Sequence, residues 1–288
     1  MTGARYLSGR TRVAGVMGWP VAHSLSPRLH GHWLLRYCID GAYVPLPVPP
    51  ERLEQALRAL PALGFAGVNL TIPHKEAALA LMDRLSPGAE RIGAVNTVVV
   101  EGDGTLSGDN TDGFGFIAAL CQSGAAWRAE AGPAVVLGAG GAARAVAVAL
   151  LDAGAPEVRL LNRTPERARA LADGLGSSVH AVDWGARAAA LDGAALLVNT
   201  TSLGMRGQPP LMLPLEALPR TALVTDVVYT PLITPLLALA QARGNPVVDG
   251  LGMLLHQARP GFRAWFGVDP AVEDDLRAVV AAGLSAAG

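Results

Sequence analysis

A glycine-rich turn between an apolar strand and an alanine-rich helix constrains the fold of this chain more than any other feature. Ala134–Leu137 is a short, wholly apolar segment typical of a buried strand, and the pattern G-x-G-x-x-A follows it at residues 138–143. A helix-favouring stretch then continues to about Asp152. The first glycine permits a tight turn, the second lets the backbone approach a pyrophosphate, and the alanine lets the helix pack closely. We therefore expect a Rossmann-type unit that holds a dinucleotide at Gly138, Ala139, Gly140, Gly141 and Ala142.

The end of the next strand indicates which dinucleotide is bound. Val158–Leu161 is apolar and is followed by Asn162, Arg163, Thr164 and, three residues later, Arg167. An NAD-binding unit usually carries an acidic residue here, which bonds to the ribose 2′-hydroxyl and would repel a 2′-phosphate. Guanidinium groups pair well with a phosphate, so the sequence favours NADP over NAD. The alternative is that both arginines are merely solvated at the start of a helix.

The pattern of strands continues to about residue 248. Apolar segments at Leu196–Asn199, Leu223–Val228 and Pro246–Val248 predict three further strands. Thr200 and Thr201 follow the first of them, where a nicotinamide ribose would pass.

Residues before the glycine-rich turn also alternate between strand and helix patterns. Alternation of this kind predicts a mainly parallel sheet covered on both faces. Predicted strands are Val13–Gly18, Ala42–Val48 and Ala66–Ile72; predicted helices are Arg28–Cys38, Glu51–Leu60 and Lys75–Leu85; Ala94–Val100 and Thr105–Ser107 are predicted to form a hairpin.

Lys75 is the only lysine among 23 basic residues. A guanidinium stays protonated at any working pH, whereas an ammonium is a compact donor that can release its proton when its environment lowers its pKa. A chain that otherwise uses arginine is therefore expected to keep a lysine where proton transfer is needed. The alternative is a surface lysine that opens a helix after Pro73.

Polar residues gather at or just beyond the predicted strand ends of this first part. In parallel sheets, ligands bind at the carboxyl ends of the strands, so this grouping predicts a site for a small polyhydroxylated anion. Each residue also has a structural explanation: Ser26 followed by Pro27 suits a helix N-cap, and Asn96 or Asp112 could cap a turn or a helix. The candidates are Ser24, Ser26, Asn69, Thr71, Lys75, Asn96 and Asp112.

Composition excludes several classes of partner. The formal net charge is −1 and the arginines are scattered, which argues against nucleic acid. No apolar run approaches the ~20 residues of a membrane span, and no secretory signal is recognised at the N-terminus, so a cytoplasmic protein is expected. Cys38 and Cys121 are expected to be buried, unpaired thiols. The six histidines lack metal-ligand spacing, so no metal is expected.

Taken together, the motifs resemble the shikimate dehydrogenase family over essentially the whole chain. The match is specific because nine segments occur in the family's order. They are AHSLSP at 22–27, NLTIPHKE at 69–76, AVNT at 94–97, GDNTDG at 108–113, GAGGAAR at 138–144, NRT at 162–164, NTTSLGM at 199–205, DVVYTPLITPL at 226–236 and DGLGMLLHQ at 249–257.

The resemblance implies two α/β domains with a cleft between them and the NADPH-dependent, reversible reduction of 3-dehydroshikimate to shikimate, which leads to chorismate and aromatic amino acids. The substrate domain would comprise residues 1–112 and 250–288, and the NADP domain residues 113–249. By motif position, Lys75 and Asp112 would be the catalytic pair, with Lys75 either transferring the proton or stabilising the oxyanion. A monomer or homodimer is expected.

The resemblance also implies a role for each of the remaining site residues. Ser24 and Ser26 would hold the substrate carboxylate. Thr71, Asn96, Asp112 and Gln257 would hold the ring hydroxyls, and Asn69 and Tyr229 would complete the substrate site. The adenosine 2′-phosphate would lie on Asn162, Arg163, Thr164 and Arg167, and Val227, Gly250 and Met253 would complete the cofactor site.

Two residues depart from the commoner family pattern: Trp19 stands where many members carry Asn, and His74 where Phe or Asn is frequent. Two alternatives to a shikimate dehydrogenase remain. One is a quinate/shikimate dehydrogenase of broader substrate or cofactor range, and the other is a non-catalytic sensor of shikimate-type metabolites.

Overall fold

The computed structural model describes residues 7–286, and their side chains as far as residue 284. The chain divides into two compact units. The first comprises residues up to Thr111 together with those from Gln257 onward, and the second comprises Asp112–His256.

The first unit is built on a six-stranded mixed sheet in the order β2-β1-β3-β5-β6-β4. β1 pairs in parallel with both β2 and β3, whereas β5 is antiparallel to β3 and to β6, which confirms the predicted hairpin. The strands are β1 (Arg12–Gly18), β2 (Gly41–Pro47), β3 (Phe65–Leu70), β4 (Arg84–Leu85), β5 (Thr97–Val100) and β6 (Leu106–Asp109); the helices wholly within this unit are α1 (Ser26–Arg36), α2 (Leu53–Ala59), α3 (Pro87–Ile92) and α9 (Asp274–Ala286).

The second unit has a six-stranded, wholly parallel sheet in the order β12-β11-β10-β7-β8-β9. This is the strand order of a Rossmann fold, as the glycine-rich turn predicts. The strands are β7 (Ala134–Leu137), β8 (Val158–Leu161), β9 (Val179–Val182), β10 (Leu196–Asn199), β11 (Leu223–Asp226) and β12 (Val247–Val248); the helices are α4 (Asp112–Gln122), α5 (Gly141–Asp152), α6 (Pro165–Leu175), α7 (Pro235–Arg243) and the first part of α8 (Leu251–Phe266), whose remainder belongs to the first unit.

Alternating residues of β7 belong to different cores, which shows that both faces of the second sheet are covered. Val135 and Leu137 pack in one apolar cluster, while Val136 packs in the other with Ala143 and Val146 of α5. Burial on both faces explains why the strand sequence is continuously apolar rather than alternating.

A glycine in β3 lets an aromatic side chain of α8 lie directly on the first sheet. Gly67 has a φ of +152°, and a Cβ there would lie 2.1 Å from the Val98 carbonyl oxygen and 2.3 Å from Nε1 of Trp265. The fully buried Trp265 donates from Nε1 to the same Val98 oxygen at 3.0 Å. A side chain at position 67 would therefore separate the helix from the sheet.

The predicted helix over Lys75–Leu85 is wrong. Residues 72–76 form turns and a bend, only Ala77–Leu81 of the predicted stretch make a short 3₁₀ helix, and Arg84–Leu85 form β4 beside β6. The Lys75 carbonyl accepts a hydrogen bond from the Val95 amide at 2.8 Å instead of continuing a helix. Tertiary hydrogen bonding thus overrides the local helical propensity of this alanine-rich stretch.

The expectation of buried cysteines is also wrong, since Cys38 and Cys121 are both exposed and unpaired. Cys38 follows the end of α1 with a φ of +55°, and Cys121 lies in the last turn of α4. No helix in the described part of the chain is long and apolar enough to cross a membrane.

Candidate active site

The turn that carries Lys75 is fixed by hydrogen bonds to three other segments of the first unit. The Thr71 amide donates to the Met17 carbonyl oxygen at 2.9 Å, and the Lys75 carbonyl oxygen accepts from Val95 as described above. His74 is 1% exposed, and its Nε2 donates to the Val48 carbonyl oxygen at 2.8 Å. Burial lowers the pKa of His74 below its ordinary value, so the neutral imidazole is favoured. Lys75 itself is half-buried within this hydrogen-bonded turn.

Asn96 is the centre of a buried polar network beside this turn. Its Oδ1 accepts from the Thr97 hydroxyl at 2.9 Å and from the Thr111 amide at 2.9 Å. Its Nδ2 donates to Oε1 of Gln257 at 3.4 Å. Because Oδ1 faces these donors, the orientation of the amide is defined and its NH₂ group faces Gln257. An amide pair held in this way can offer both a donor and an acceptor to a polar ligand.

Asn69 lies on β3 and is committed to the same network. Its Nδ2 donates to the Asn96 carbonyl oxygen at 3.1 Å and to the Thr97 hydroxyl at 3.2 Å, and its Oδ1 accepts from the Tyr43 hydroxyl at 2.6 Å. The sequence places Asn69 in a substrate site, but the structure shows its amide bonded throughout to protein groups.

Asp112 is the first residue of α4 and is 1% exposed. The preceding Thr111 fixes the backbone, since its amide donates to Asn96 and its hydroxyl donates to the Gln257 carbonyl oxygen at 2.8 Å. A carboxylate in the first turn of a helix is stabilised by the helix dipole. The structural explanation of Asp112 as a helix-start residue is therefore compatible with a catalytic one.

Ser24 and Ser26 stand at the start of α1, but Ser26 is not its N-cap. That position is occupied by Leu25, without a side-chain capping hydrogen bond, and Ser26 is already helical. The Ser26 amide donates to the Ser24 hydroxyl oxygen at 3.3 Å, and both side chains lie at the helix start. The capping explanation for Ser26 is thus wrong, and two serines lie at a helix N-terminus, where an anion is favoured.

The glycine-rich turn of the second unit has the geometry that a dinucleotide requires. Gly138 has a φ of +119°, and a Cβ there would lie 2.4 Å from the Thr200 hydroxyl oxygen. A Cβ at Gly140, the N-cap of α5, would meet no heavy atom within 4 Å, so the space above this residue is open. Ala143 is fully buried against the sheet. Ala139, Gly141 and Ala142 complete the turn and the start of the helix.

Arg163 and Arg167 are exposed at the end of β8 and the start of α6. Asn162 shapes this turn, because its Nδ2 donates to the Thr164 carbonyl oxygen at 2.9 Å. Within the described residues, neither guanidinium is paired with a carboxylate; the nearby ion pair at 3.9 Å joins Glu166 to Arg169 instead. Both cations are therefore available to a 2′-phosphate.

A second polar network, which sequence reasoning missed, fixes the loops after β10 and β11. Oδ1 of Asp226 accepts from Asn199 Nδ2 and from the Val228 amide, both at 3.0 Å, and its Oδ2 accepts from the Thr234 hydroxyl at 2.8 Å. Burial raises the pKa of Asp226 to about 6, partly offset by these hydrogen bonds. One sign of this network is present in the sequence: the apolar strands β10 and β11 each end in a polar residue, Asn199 and Asp226.

The same network positions Thr201, and separate contacts position Thr200 and Gly250. Asn199 Oδ1 accepts from the Thr201 hydroxyl at 2.7 Å, and the Thr200 hydroxyl donates to the Leu137 carbonyl oxygen at 2.6 Å. A Cβ at Gly250 would lie 2.5 Å from the Val227 carbonyl oxygen, so only glycine lets the chain pass this strand end.

Tyr229 and Met253 complete the predicted set in the second unit. Burial raises the pKa of Tyr229, which is half-buried after β11. Met253 is partly buried on α8 against the core of this unit.

The structure thus gathers Asn69, Asn96 and Gln257 in one network of the first unit, with the Lys75 turn hydrogen-bonded to Val95 beside it. It gathers the glycine-rich turn and Thr200 at one edge of the second. Among the described residues, no three His, Cys, Asp or Glu side chains are arranged to hold a metal ion.

Profiles of known families match three parts of the chain. The shikimate dehydrogenase substrate binding domain matches residues 16–98, shikimate / quinate 5-dehydrogenase matches residues 124–203, and the shikimate 5′-dehydrogenase C-terminal domain matches residues 250–280.

Complete relatives are similar over almost the whole chain. The shikimate dehydrogenase (NADP(+)) of Paramagnetospirillum magneticum is 63% identical over 95% of this chain and 99% of its own length. That of Rhodospirillum rubrum is 64% identical over 95% and 98%. The crystal structure of shikimate 5-dehydrogenase from Thermus thermophilus, in complex with NADP(H) and shikimate, is 43% identical with a TM-score of 0.84, covering 96% of this chain and 100% of that one. On this similarity, the chain belongs to the shikimate dehydrogenase (NADP(+)) family.

Proposed function

We propose that this protein catalyses the reversible NADPH-dependent reduction of 3-dehydroshikimate to shikimate, on the way to chorismate, with Lys75 and Asp112 as the catalytic pair. Similarity over nearly the whole chain to NADP-dependent shikimate dehydrogenases supports the reaction. The observation that supports the site most directly is the fixed Asn96 amide, which presents its NH₂ group beside Gln257. An amide pair oriented in this way can both donate to and accept from a ring hydroxyl.

The substrate carboxylate is assigned to Ser24 and Ser26, because two hydroxyls at the N-terminus of α1 favour an anion. Ring hydroxyls are assigned to Thr71, Asn96, Asp112 and Gln257. Tyr229 flanks the substrate, and Asn69 holds the network that orients Asn96.

Lys75 moves the proton at the reacting oxygen. During reduction, its ammonium donates a proton to the oxygen that develops negative charge, and in oxidation the neutral amine takes that proton from the shikimate hydroxyl. Asp112 orients the ammonium and the same hydroxyl through its carboxylate. The fixed turn around Lys75 limits the positions that Nζ can reach, which favours a defined transfer geometry.

NADP fits the second unit on three observations: the open space at Gly140, the close turn at Gly138 and the unpaired cations Arg163 and Arg167. When bound, the cofactor supplies or accepts the hydride. Gly138, Ala139, Gly140, Gly141 and Ala142 would hold its pyrophosphate. Asn162, Arg163, Thr164 and Arg167 would hold the 2′-phosphate, and Thr200, Thr201, Val227, Gly250 and Met253 the nicotinamide half.

The first unit is accordingly the substrate domain and the second the NADP domain. A cytoplasmic location and a monomeric or homodimeric state stay predictions.

A broader quinate/shikimate dehydrogenase is the second candidate, because one matching profile describes both activities. The two acids differ at the ring carbon that carries the carboxylate, which is the end of the substrate assigned to Ser24 and Ser26. The unpaired arginines after β8 favour NADP whichever acid is preferred.

The test follows NADPH absorbance with shikimate and NADP⁺, in parallel with quinate and with NAD⁺. We expect shikimate with NADP⁺ to give the highest kcat/KM of the four combinations. Equal or higher turnover of quinate would establish the broader enzyme. Binding of shikimate without any NADPH formation would overturn the proposal in favour of a sensor.

A further inference from the structure

The Tyr43 hydroxyl begins a chain of hydrogen bonds that ends at Asn96. Tyr43 lies on β2 and is 7% exposed. Its hydroxyl contacts Oδ1 of Asn69 at 2.6 Å, and Asn69 Nδ2 contacts the Thr97 hydroxyl at 3.2 Å. The Thr97 hydroxyl in turn contacts Oδ1 of Asn96 at 2.9 Å. The chain therefore joins a buried tyrosine to the amide assigned to a ring hydroxyl.

In this chain of hydrogen bonds, the hydrogens can be donated in only one direction. Both hydrogens of the Asn69 NH₂ group are used, because the second goes to the Asn96 carbonyl oxygen. Oδ1 of Asn69 can only accept, so the Tyr43 hydroxyl must donate to it. The Thr97 hydroxyl accepts from Asn69 and donates its own proton to Asn96 Oδ1, which is the shorter of its two other contacts. Each side chain thus donates to the next, from Tyr43 to Asn69, from Asn69 to Thr97, and from Thr97 to Asn96.

The consequence appears at Asn96. The Asn96 side-chain atom that accepts from the Thr97 hydroxyl and the Thr111 backbone amide must be its oxygen, Oδ1. If the Asn96 side-chain amide rotated by half a turn, its NH₂ group would face these two donors and the hydrogen bonds would be lost. The NH₂ group is thereby directed to the Gln257 side.

The Tyr43 ring is itself fixed by an aromatic stack. His30 is fully buried and its ring lies parallel to that of Tyr43, with centroids 3.9 Å apart and planes inclined by 6°. Trp265 lies against both rings, with centroids 5.8 Å from His30 and 6.0 Å from Tyr43. Burial lowers the pKa of His30 to about 3 and raises that of Tyr43. A neutral imidazole therefore supports a hydroxyl that stays protonated and able to donate.

We propose that Tyr43 is a positioning residue for the substrate: through Asn69 and Thr97, its hydroxyl fixes the Asn96 amide in the orientation that binds a ring hydroxyl. The proposal rests on the proposed function of Asn96. Tyr43 itself contacts no substrate atom in this scheme, so we expect its replacement to leave cofactor binding almost unchanged.

The test is Tyr43→Phe, which removes one oxygen and keeps the ring stacked on His30. We expect KM for shikimate to rise about five- to tenfold, as for the loss of one neutral hydrogen bond, with KM for NADP⁺ changed less than twofold. Tyr37→Phe is the matched control, since the Tyr37 hydroxyl accepts from the Ala271 amide, away from this chain. It should change neither constant more than twofold.

A double-mutant cycle separates positioning from a general effect on folding. Thr97→Val interrupts the same chain at a nearly isosteric site, so it should raise KM for shikimate, and adding Tyr43→Phe should raise it little further. Effects that multiply, or a shikimate KM in Tyr43→Phe within twofold of wild type, would overturn the proposal. An inactive wild-type protein would instead refute the proposed function.

Discussion

Nε2 of His74 donates a 2.8 Å hydrogen bond to the carbonyl oxygen of Val48, just beyond the end of β2. His74 precedes Lys75, so this bond ties the turn that carries the lysine to the first sheet. The imidazole is 1% exposed, so water competes little for the bond.

His74→Phe should therefore cost stability and catalysis together. The ring still fills its site, but the Val48 oxygen loses its donor, which costs about 1–3 kcal/mol in the free energy of unfolding. We expect a lower kcat with an unchanged KM for NADP⁺. Urea unfolding and steady-state kinetics measure both effects. His74→Gln is the control, because its amide can donate to the same oxygen; equal losses in both variants would contradict this role.

Replacing Arg163 should change cofactor preference. A charged hydrogen bond contributes about 1.5–3 kcal/mol, so Arg163→Ala should lower the ratio of kcat/KM for NADP⁺ to that for NAD⁺ by about ten- to a hundredfold. Arg169→Ala provides a matched control on the helix that follows, since Arg169 faces Glu166 at 3.9 Å. An unmoved ratio in Arg163→Ala would remove this residue from the 2′-phosphate site.

Asp226 should make stability depend on pH between about 4 and 7. Burial raises its pKa from 3.8 to about 6, so the folded chain binds this proton more tightly than the unfolded chain. Its contribution to stability is complete below about pH 4 and is lost as the pH rises through about 6.

Asp226→Asn removes this titration and can keep the acceptor for Asn199 and Val228. Relative to wild type, the free energy of unfolding of the variant should increase with pH across this window, by an amount on the order of 3 kcal/mol. Urea titrations at pH values spread across the window measure the difference. A difference that does not vary with pH would show that Asp226 does not titrate there.

The Rossmann unit follows from its sequence because its signals are local. Gly138 needs a positive φ, Ala143 must pack without a large side chain, and Ala134–Leu137 is buried on both faces. Each of these requirements restricts the type of residue at its own position, so the strand, the turn and the helix are predicted with correct bounds.

The features that could not be predicted from the sequence depend on tertiary contacts. Lys75–Leu85 is alanine-rich and locally favours a helix, but the Val95 amide takes the Lys75 carbonyl oxygen and β6 pairs with Arg84–Leu85. The chain of hydrogen bonds from Tyr43 to Asn96 passes through several segments, so no spacing along the sequence identifies it. The role of Asp226 likewise cannot be predicted from the sequence, because its hydrogen-bond partners lie in different segments.

Lys75 is the residue on which the proposed mechanism depends. Its turn is hydrogen-bonded to the segments that contain Met17, Val48 and Val95, so substitution of the side chain leaves the surrounding backbone bonds in place. Lys75→Ala removes the ammonium, while Lys75→Arg keeps the positive charge but replaces the ammonium with a guanidinium that does not release its proton.

The most direct test compares kcat for shikimate oxidation in wild type, Lys75→Ala and Lys75→Arg, with NADPH binding measured by fluorescence in each. A positioned acid/base contributes about 10²–10⁴-fold, so we expect kcat to fall by that factor in both variants while NADPH binds as in wild type. Turnover close to wild type in Lys75→Ala would contradict the mechanism, and full activity in Lys75→Arg would show that only the positive charge is needed.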